Sequence, residues 1–367
     1  MQMVLTALAT LQHIDPRCDR RSALLGIGIG AAAVTGAPAS SALAASVKVP
    51  TWQLAGGVAF PTLALNTAAL TTDGAELAFR NAISAGISHV EFHPGIERDG
   101  VARVMKSIAR ESAFLTTKIE TGWERRTSPS AAAASVRKRL DEDLAVLGVD
   151  YVDMFMLRES PDAAVMQAMW AEMEREKAEG RARSLGVVNY CEGALKCILS
   201  TATEAPSVNY IQLHVGMGPD TGGLRAFGES RGIRTFAYGH LGEQARPKGD
   251  TDEILASPTL RRIGAEHGGR TAEDVALKWV LQSGAAASVR PSSDFGFGRG
   301  ACDATSSACA DGLRGSAVAF NWELTAAEMR EINAMTSPKG YPTLFSSPGC
   351  PDSFFTASSL LGFVTNR

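Results

Sequence analysis

The feature that most constrains the fold is a regular alternation of short β-type runs with longer helical patterns, which begins near residue 60. Eight runs rich in apolar residues lie at 63–66, 88–92, 114–119, 151–157, 184–188, 208–214, 233–238 and 285–289. Between them apolar residues recur at helical spacing, as at 131–147 and 163–179. Eight strands that alternate with helices favour parallel pairing and closure into a (β/α)8 TIM barrel. An open doubly wound sheet is the alternative, but the glycine fingerprint typical of that fold does not follow the first strand.

The composition is typical of a large globular unit and excludes several other classes of protein. Apolar residues make up 45% of the 367 residues, which excludes an intrinsically disordered chain. The net charge is −3 and no long Lys/Arg cluster occurs, so we expect no nucleic-acid partner. No apolar run reaches the ~20 residues of a bilayer-spanning helix, so we expect no integral membrane segment in the mature chain. Six cysteines are too few for a disulfide scaffold.

The first 44 residues have the pattern of a targeting segment. The charged letters DRRS at 19–22 precede an uncharged run at 23–35, and the small-residue triplet ALA follows at 42–44. This order is typical of a cleavable leader, and the paired arginines are similar to a twin-arginine export signal. An ordinary secretory or plastid leader is the alternative. The pattern predicts an exported or organellar protein, in a bacterial periplasm or in a chloroplast or thylakoid lumen.

The rest of the chain divides into a predicted barrel at 45–345 and a predicted C-terminal tail at 346–367. The stretch at 292–316 is rich in Gly, Ser, Ala and Asp and shows no periodicity. It predicts an inserted surface loop after the eighth strand. Cys302 and Cys309 lie in this stretch, and an oxidising compartment would allow a disulfide between them. The sequence leaves open whether the two cysteines are bonded.

Seven phrases follow one another along the chain in a characteristic order. They are LTTKIE (115–120), LGVDYVDMFML (147–157), EGRARSLGVVNY (179–190), APSVNYIQLH (205–214), GIRTFAYGHLG (232–242), TAEDVALKWVLQSG (271–284) and FNWELTAAEM (320–329). Together they resemble the aldo-keto reductase family over roughly residues 60–336. The resemblance implies a TIM barrel that binds NADPH in an extended pose without a Rossmann fold. It also implies reduction of aldehydes and ketones to alcohols.

The resemblance further implies a catalytic site, which this chain carries in altered form. Such enzymes use a tyrosine as proton donor, a lysine beside it, an aspartate paired with the lysine, and a histidine that orients the substrate oxygen. Lys118 matches the lysine, and Glu91 stands at the aspartate position. Ile96 stands at the tyrosine position and Arg158 at the histidine position, so the usual proton donor is missing. His93 lies on the same inward side of the strand as Glu91 and is the candidate replacement acid.

Each of these residues also has a structural interpretation. Lys118 and Glu91 are expected to form a buried ion pair at the barrel mouth, because an inward lysine needs a countercharge. His93 would then be a packed or hydrogen-bonded side chain. Arg158 either stabilises an oxyanion or a ligand carboxylate, or pairs with Glu91 or Glu159. The sequence leaves the catalytic and the structural interpretations open.

Four residues are candidates for binding a cofactor. By the resemblance, Asn189 holds the nicotinamide amide and Tyr238 stacks on the nicotinamide ring. Tyr210 replaces an expected glutamine, and Arg290 stands where the family has a lysine that grips the adenosine 2′-phosphate. Arginine binds phosphate well, even bidentately. The resemblance thus implies NADP(H), while the histidines and cysteines show no metal-ligand spacing.

Two functions stay open at this level. One is a divergent NADP-dependent oxidoreductase that acts on a carbonyl/alcohol pair, with a small-molecule carbonyl substrate and a monomeric chain. The other is a catalytically impaired barrel that binds a nucleotide or small molecule, or acts as a structural or regulatory partner. The fold does not separate them, because function resides in the site.

Overall fold

Eight parallel strands close into a barrel in the computed structural model of the chain, so the predicted (β/α)8 fold is confirmed. The structure describes residues 47–119, 128–158, 162–220, 223–242, 251–291, 302, 304 and 307–335. The predicted leader at 1–44 and the predicted tail at 346–367 lie outside these residues, and both stay predictions.

The barrel strands agree closely with the predicted runs. An antiparallel pair, β1 (Thr51–Gln53) and β2 (Ala59–Pro61), comes first. The barrel strands are β3 (Leu63–Asn66), β4 (His89–Glu91), β5 (Phe114–Ile119), β6 (Val152–Arg158), β7 (Ala182–Val188), β8 (Val208–Gln212), β9 (Arg234–Tyr238) and β10 (Ala286–Val289). Their order around the barrel is β10-β3-β4-β5-β6-β7-β8-β9, with every neighbouring pair parallel.

Helices cover the outside of the barrel between these strands. Within the described ranges they are α1 (Thr72–Ser84), α2 (Ile96–Met105), α3 (Pro129–Leu147), α4 (Ala163–Ala178), α5 (Glu192–Leu199), α6 (Leu224–Glu229), α7 (Thr251–Ala256), α8 (Pro258–Glu266), α9 (Ala272–Gln282), α10 (Ala308–Ala317) and α11 (Ala326–Asn333). In α3, Val136, Leu140 and Leu147 recur at helical spacing and are buried against the barrel. Among the helices described, none combines the length and the apolar character that crossing a bilayer requires.

Helix α10 corrects one prediction, because residues 308–316 are helical and not part of an irregular loop. Cys309, Leu313 and Ala317 are buried at four-residue spacing. Glycines and small polar residues between them obscure this apolar face in the sequence. Cys309 is bonded to Cys302, with 5.1 Å between their Cα atoms, so the disulfide that the sequence left open is present.

The hairpin of β1 and β2 closes the amino-terminal end of the barrel, which the sequence analysis did not predict. Phe60 of β2 is fully buried, with its ring centre 5.3 Å from that of Phe114 and 5.2 Å from that of Phe236. Phe114 is the first residue of β5, which places these contacts at the end where the strands begin. Aromatic pairs at such distances each contribute about 0.5–1.5 kcal/mol beyond their burial.

Alternation along β5 explains how the opposite end of the barrel receives its polar groups. Phe114 packs in the barrel interior, whereas Leu115 and Ile119 pack beneath the helices. Thr116, two residues after Phe114, faces inward and contacts His89. The same alternation brings Lys118 into the interior at the carboxyl end of the strand, which is where TIM barrels carry their active sites.

His89 is a fully buried titratable group below this end. Its Nδ1 lies 3.1 Å from the carbonyl oxygen of Pro61 and its Nε2 lies 2.7 Å from Oγ1 of Thr116. The carbonyl only accepts, so Nδ1–H donates to Pro61 and the Thr116 hydroxyl donates to Nε2. Burial lowers the pKa of His89 to about 3, so the imidazole is neutral in the folded chain.

We expect acid to destabilise the fold through His89 between roughly pH 6 and pH 4. In this window the unfolded chain binds a proton at His89 and the folded chain does not. The free energy of unfolding therefore decreases as the pH decreases, by about 1.4 kcal/mol per pH unit for one proton. In urea denaturation at several pH values, His89→Asn should lose this part of the slope, whereas Thr116→Val, which keeps the imidazole, should retain it. An unchanged slope in His89→Asn would contradict the prediction.

Candidate active site

A buried ion pair lies at the carboxyl ends of β4 and β5. Nζ of Lys118 contacts Oε1 of Glu91, and their side chains are only 2% and 0% exposed. The strand register explains the contact, because Glu91 is paired with Thr116 and Lys118 follows two residues later on the same inward face. A buried ammonium needs a countercharge close by, and the Glu91 carboxylate supplies it.

The second oxygen of Glu91 is held by a buried hydrogen-bond network. The hydroxyl of Tyr210 donates to Oε2 at 2.9 Å, and Ser288 Oγ lies 2.9 Å from that hydroxyl. Nδ2 of Asn66 donates to the Tyr210 hydroxyl oxygen at 3.1 Å. Burial raises the pKa of Tyr210, so the phenol stays protonated and acts as a donor to the carboxylate. The Tyr210 ring also faces the ammonium, with 5.1 Å between Nζ of Lys118 and the ring centre.

His93 lies on the accessible side of this ion pair. Its Nε2 is 3.4 Å from Nζ of Lys118, and its Nδ1 is 3.1 Å from Oε2 of Glu97. An ammonium can only donate, so it donates to the lone pair of a neutral imidazole, while Nδ1–H donates to Glu97. The His93 side chain is 28% exposed. It therefore gives a molecule in the barrel mouth access to a group in direct contact with Lys118.

Ile96, at the tyrosine position of the family pattern, faces solvent. It is the first residue of α2 and is 62% exposed. An aliphatic side chain carries no acidic proton, whatever its orientation. The imidazole of His93, three residues earlier, contacts Lys118 from the accessible side.

Arg158 is the last residue of β6 and is half-buried at the same end of the barrel. Its carbonyl oxygen accepts a hydrogen bond of 3.3 Å from the Tyr190 hydroxyl. The countercharge beside Glu91 in the structure is Lys118, and the predicted pairing of Arg158 stays a prediction. Glu159, the other predicted partner, lies outside the described residues.

Asn189 and Tyr238 form a hydrogen-bonded pair at the carboxyl ends of β7 and β9. The hydroxyl of Tyr238 donates to Oδ1 of Asn189 at 2.9 Å. Asn189 has a φ of 62°, a left-handed conformation that asparagine adopts more readily than most residues. Its backbone N–H donates to the carbonyl oxygen of Tyr210 at 2.9 Å, which fixes this turn. The pair holds the half-buried Tyr238 ring as a flat surface at the barrel mouth.

Arg290 directly follows β10 and is half-buried at this end. His240, two residues after β9, is buried, and its Nε2 has no hydrogen-bond partner among the residues that the structure describes. Burial, followed by the charges of His214 and Arg290, lowers the pKa of His240 to about 4. A guanidinium binds phosphate oxygens, and a neutral imidazole does so through the nitrogen that carries its proton. Nowhere in the described part of the chain do three or more His, Cys, Asp or Glu side chains form a metal-binding group.

Tyr210 lies inside the barrel, and its predicted contact with a cofactor stays a prediction. It is 3% exposed, and its hydroxyl belongs to the network around Glu91. The sequence analysis missed Asn66 and Ser288, which lie on inward positions of β3 and β10, so strand alternation was the available signal. It also missed Glu97, which follows His93 by four residues.

We expect Glu91 and Lys118 to behave as one unit in unfolding. Lys118→Met leaves a buried carboxylate without its countercharge and should lower the free energy of unfolding by about 3–5 kcal/mol. Adding Glu91→Gln removes the second charge, so the double variant should be more stable than Lys118→Met alone. Urea denaturation of the wild type, Lys118→Met, Glu91→Gln and the double variant measures the coupling energy between the two charges. Strictly additive effects would show that the two charges do not compensate each other.

Comparison with known sequences gives a family match and several relatives. The family profile described as Aldo/keto reductase family matches residues 56–336. An aldo-keto reductase of Mycolicibacterium smegmatis is 29% identical over 294 residues, which cover 79% of this chain and 92% of the relative. A morphine 6-dehydrogenase of Pseudomonas putida is 30% identical over 256 residues, which cover 64% of this chain and 79% of the relative.

Solved structures share the barrel. An aldo/keto reductase from Brucella melitensis superposes with a TM-score of 0.65 and 24% identity, covering 78% of this chain and 98% of its own. A Bombyx mori aldo-keto reductase in complex with NADP gives a TM-score of 0.64 and 22% identity, covering 79% and 94%. The profile match spans most of the chain and coincides with the barrel described above. The chain therefore belongs to the aldo/keto reductase family, a family of oxidoreductases.

Proposed function

We propose that the chain is an NADP(H)-dependent oxidoreductase that interconverts a small-molecule carbonyl and its alcohol. The observation that carries the proposal is the 3.4 Å contact between Nε2 of His93 and Nζ of Lys118, at the accessible side of a buried Lys–Glu pair. This contact supplies a proton-transfer group next to a fixed positive charge. Family membership supports the reaction class, and the similarity to a protein named morphine 6-dehydrogenase supports a dehydrogenase reaction.

His93 moves the proton in this proposal. An alcohol whose oxygen takes the place of Nε2 as the acceptor of the Lys118 N–H passes its hydroxyl proton to the freed lone pair of Nε2, and in the reverse direction the protonated Nε2 returns it to the carbonyl oxygen. Lys118 stabilises the oxygen while it carries negative charge. Glu91 and Tyr210 keep the ammonium in place, so little reorganisation is needed when the charge develops.

The described residues at the barrel mouth fit a nicotinamide nucleotide. When bound, NADP(H) supplies the hydride or accepts it. Asn189 and Tyr238 would hold the nicotinamide end, and Arg290 would hold a phosphate together with Nε2 of His240, which makes no hydrogen bond with any residue described and lies 3.9 Å from Oε1 of Glu273. The structural likeness to the Bombyx mori protein in complex with NADP is consistent with this choice of cofactor.

NADPH titration, followed by calorimetry or protein fluorescence, tests the cofactor. We expect saturable binding that Arg290→Ala weakens about tenfold or more, since a charge-assisted hydrogen bond contributes about 1.5–3 kcal/mol. Arg231→Ala is the matched control, because Arg231 lies just before β9, at the opposite end of the barrel. No binding of NADPH at millimolar concentration would overturn the proposal.

Single-turnover measurements with a panel of aldehydes, ketones and alcohols test the role of His93. We expect His93→Gln to slow turnover about 100-fold or more, because general acid–base catalysis contributes about 10²–10⁴-fold. Ile96→Ala, which alters a neighbouring exposed side chain, should keep the wild-type rate. Turnover unchanged in His93→Gln would contradict the role of His93. Tight NADPH binding with no turnover in the wild type would instead favour the non-catalytic nucleotide-binding barrel.

A further inference from the structure

Glu97 fixes the orientation of the His93 ring. Its Oε2 accepts hydrogen bonds of 3.1 Å from both Nδ1 and the backbone N–H of His93. Its Oε1 accepts one of 2.8 Å from the backbone N–H of Ala69. The Thr67 hydroxyl shares its one proton between Oε2 of Glu97 at 3.2 Å and the carbonyl oxygen of Glu91 at 3.1 Å. These donors come from two separate segments of the chain. They leave the carboxylate no freedom to rotate away from the imidazole.

The backbone at Ala69 is held in an unfavourable conformation to make its bond to Glu97. Ala69 has a φ of 66°, in the left-handed region, which costs an alanine roughly 1–2 kcal/mol. In this conformation its N–H points at Oε1 of Glu97. The bond to a charged acceptor offsets part of that cost. The local fold is therefore organised around the carboxylate of Glu97.

Glu97 is ionised in the folded chain. It is 8% exposed, and burial opposes its ionisation. Hydrogen bonds from the His93 ring and from the backbone N–H groups of Ala69 and His93 outweigh burial and lower the pKa of Glu97. An ionised carboxylate only accepts hydrogen bonds, so Nδ1 of His93 must carry a proton.

The opposite edge of the imidazole faces a group that only donates. Lys118 of β5 presents its ammonium to Nε2, which therefore offers a lone pair. The charged groups in direct contact with the ring are Glu97 of α2 and Lys118 of β5, and behind Lys118 stand Glu91 of β4 and Tyr210 of β8. A carboxylate contacts one ring nitrogen and an ammonium contacts the other, so the neutral ring carries its proton on Nδ1.

We propose that Glu97 is a positioning residue that, together with Lys118, holds His93 as the Nδ1–H imidazole and sets the pH at which His93 takes up a proton. This inference rests on the proposed proton-transfer role of His93. With the oxidised nicotinamide cofactor bound to accept a hydride, an alcohol that replaces Nε2 at the Lys118 ammonium would lose its hydroxyl proton to Nε2 and leave as a carbonyl. The negative charge of Glu97 stabilises the imidazolium that results.

Nitrogen-15 NMR of the histidine side chains tests the proposal on the full chain without cofactor. The His93 signals, identified by their loss in His93→Gln, should show the Nδ1–H tautomer. Glu97→Gln removes the negative charge beside the ring, so the titration midpoint of His93 should move to lower pH by about one unit. An Nε2–H tautomer, or a midpoint unchanged in Glu97→Gln, would overturn the proposal.

Thr67→Val is the matched control for the NMR titration. It removes one neutral donor from the same carboxylate oxygen and leaves the charge of Glu97 in place. The His93 midpoint should therefore stay close to the wild-type value. A shift in Thr67→Val as large as that in Glu97→Gln would indicate general loosening of the site and would contradict a specific role for the charge.

The pH profile of alcohol oxidation gives a second readout. The rising limb of kcat/KM should move to lower pH in Glu97→Gln, with kcat reduced more than KM is changed, and Glu97→Asp should restore the position of the limb in part. A merely structural role predicts lower activity with an unmoved limb. The NMR result does not need turnover. If the chain shows the expected NMR result but oxidises no alcohol, only the proposed function is contradicted. If the chain oxidises alcohols but the rising limb of kcat/KM does not move in Glu97→Gln, only the role of Glu97 is contradicted.

Discussion

The contact between the Glu91 carboxylate and the Lys118 ammonium determines how the carboxyl end of the barrel is built. Each of these charges costs several kcal/mol to remove from water, and their mutual attraction compensates only when the remaining polar atoms are also satisfied. Tyr210 of β8, on the far side of the barrel, and Asn66 of the neighbouring strand β3 supply the hydrogen bonds that meet this condition. The network thereby holds the Lys118 ammonium in one position, and this position determines where His93 contacts it.

The longer carboxylate is what lets the network span the barrel. Glutamate has one methylene more than the aspartate of the family pattern. One of its oxygens contacts Lys118 on the neighbouring strand β5, and the other accepts from Tyr210 on β8, on the opposite side of the barrel. The phenol that reaches the carboxylate stands where the family pattern has an amide. His93 then stands against the ammonium, and Ile96 faces solvent.

Where apolar residues recur with a regular period, the sequence predicted the secondary structure correctly. The eight runs predicted as barrel strands are four to seven residues long and either alternate or are continuously apolar, and that period placed Lys118 and Glu91 inward. The hairpin β1–β2 has strands of three residues, too short to show a period. Helix α10 carries glycine and small residues that obscure its apolar face. Leader and tail stay predictions because they lie outside the described residues.

The chemistry of the site was less accessible from the sequence, because it depends on contacts between segments. Glu97 is a helix-start residue whose partners, Thr67 and Ala69, precede it by about thirty positions. No pattern in the sequence links a loop after β3 to the first turn of α2. Tyr210 was predicted to contact the cofactor because it stands at a cofactor-binding position of the family pattern. In the structure its hydroxyl donates a hydrogen bond to the Glu91 carboxylate across the barrel. Side-chain length and direction decided both cases.

A crystal structure of the chain with NADP⁺ and a slowly reacting alcohol tests the central claim most directly, because it locates the reacting oxygen. The account predicts that this oxygen lies within hydrogen-bond distance, about 2.6–3.2 Å, of Nε2 of His93. It also predicts that the contact between Glu91 and Lys118 is retained in the complex. An alcohol oxygen held by other groups, with His93 turned away from it, would contradict the account.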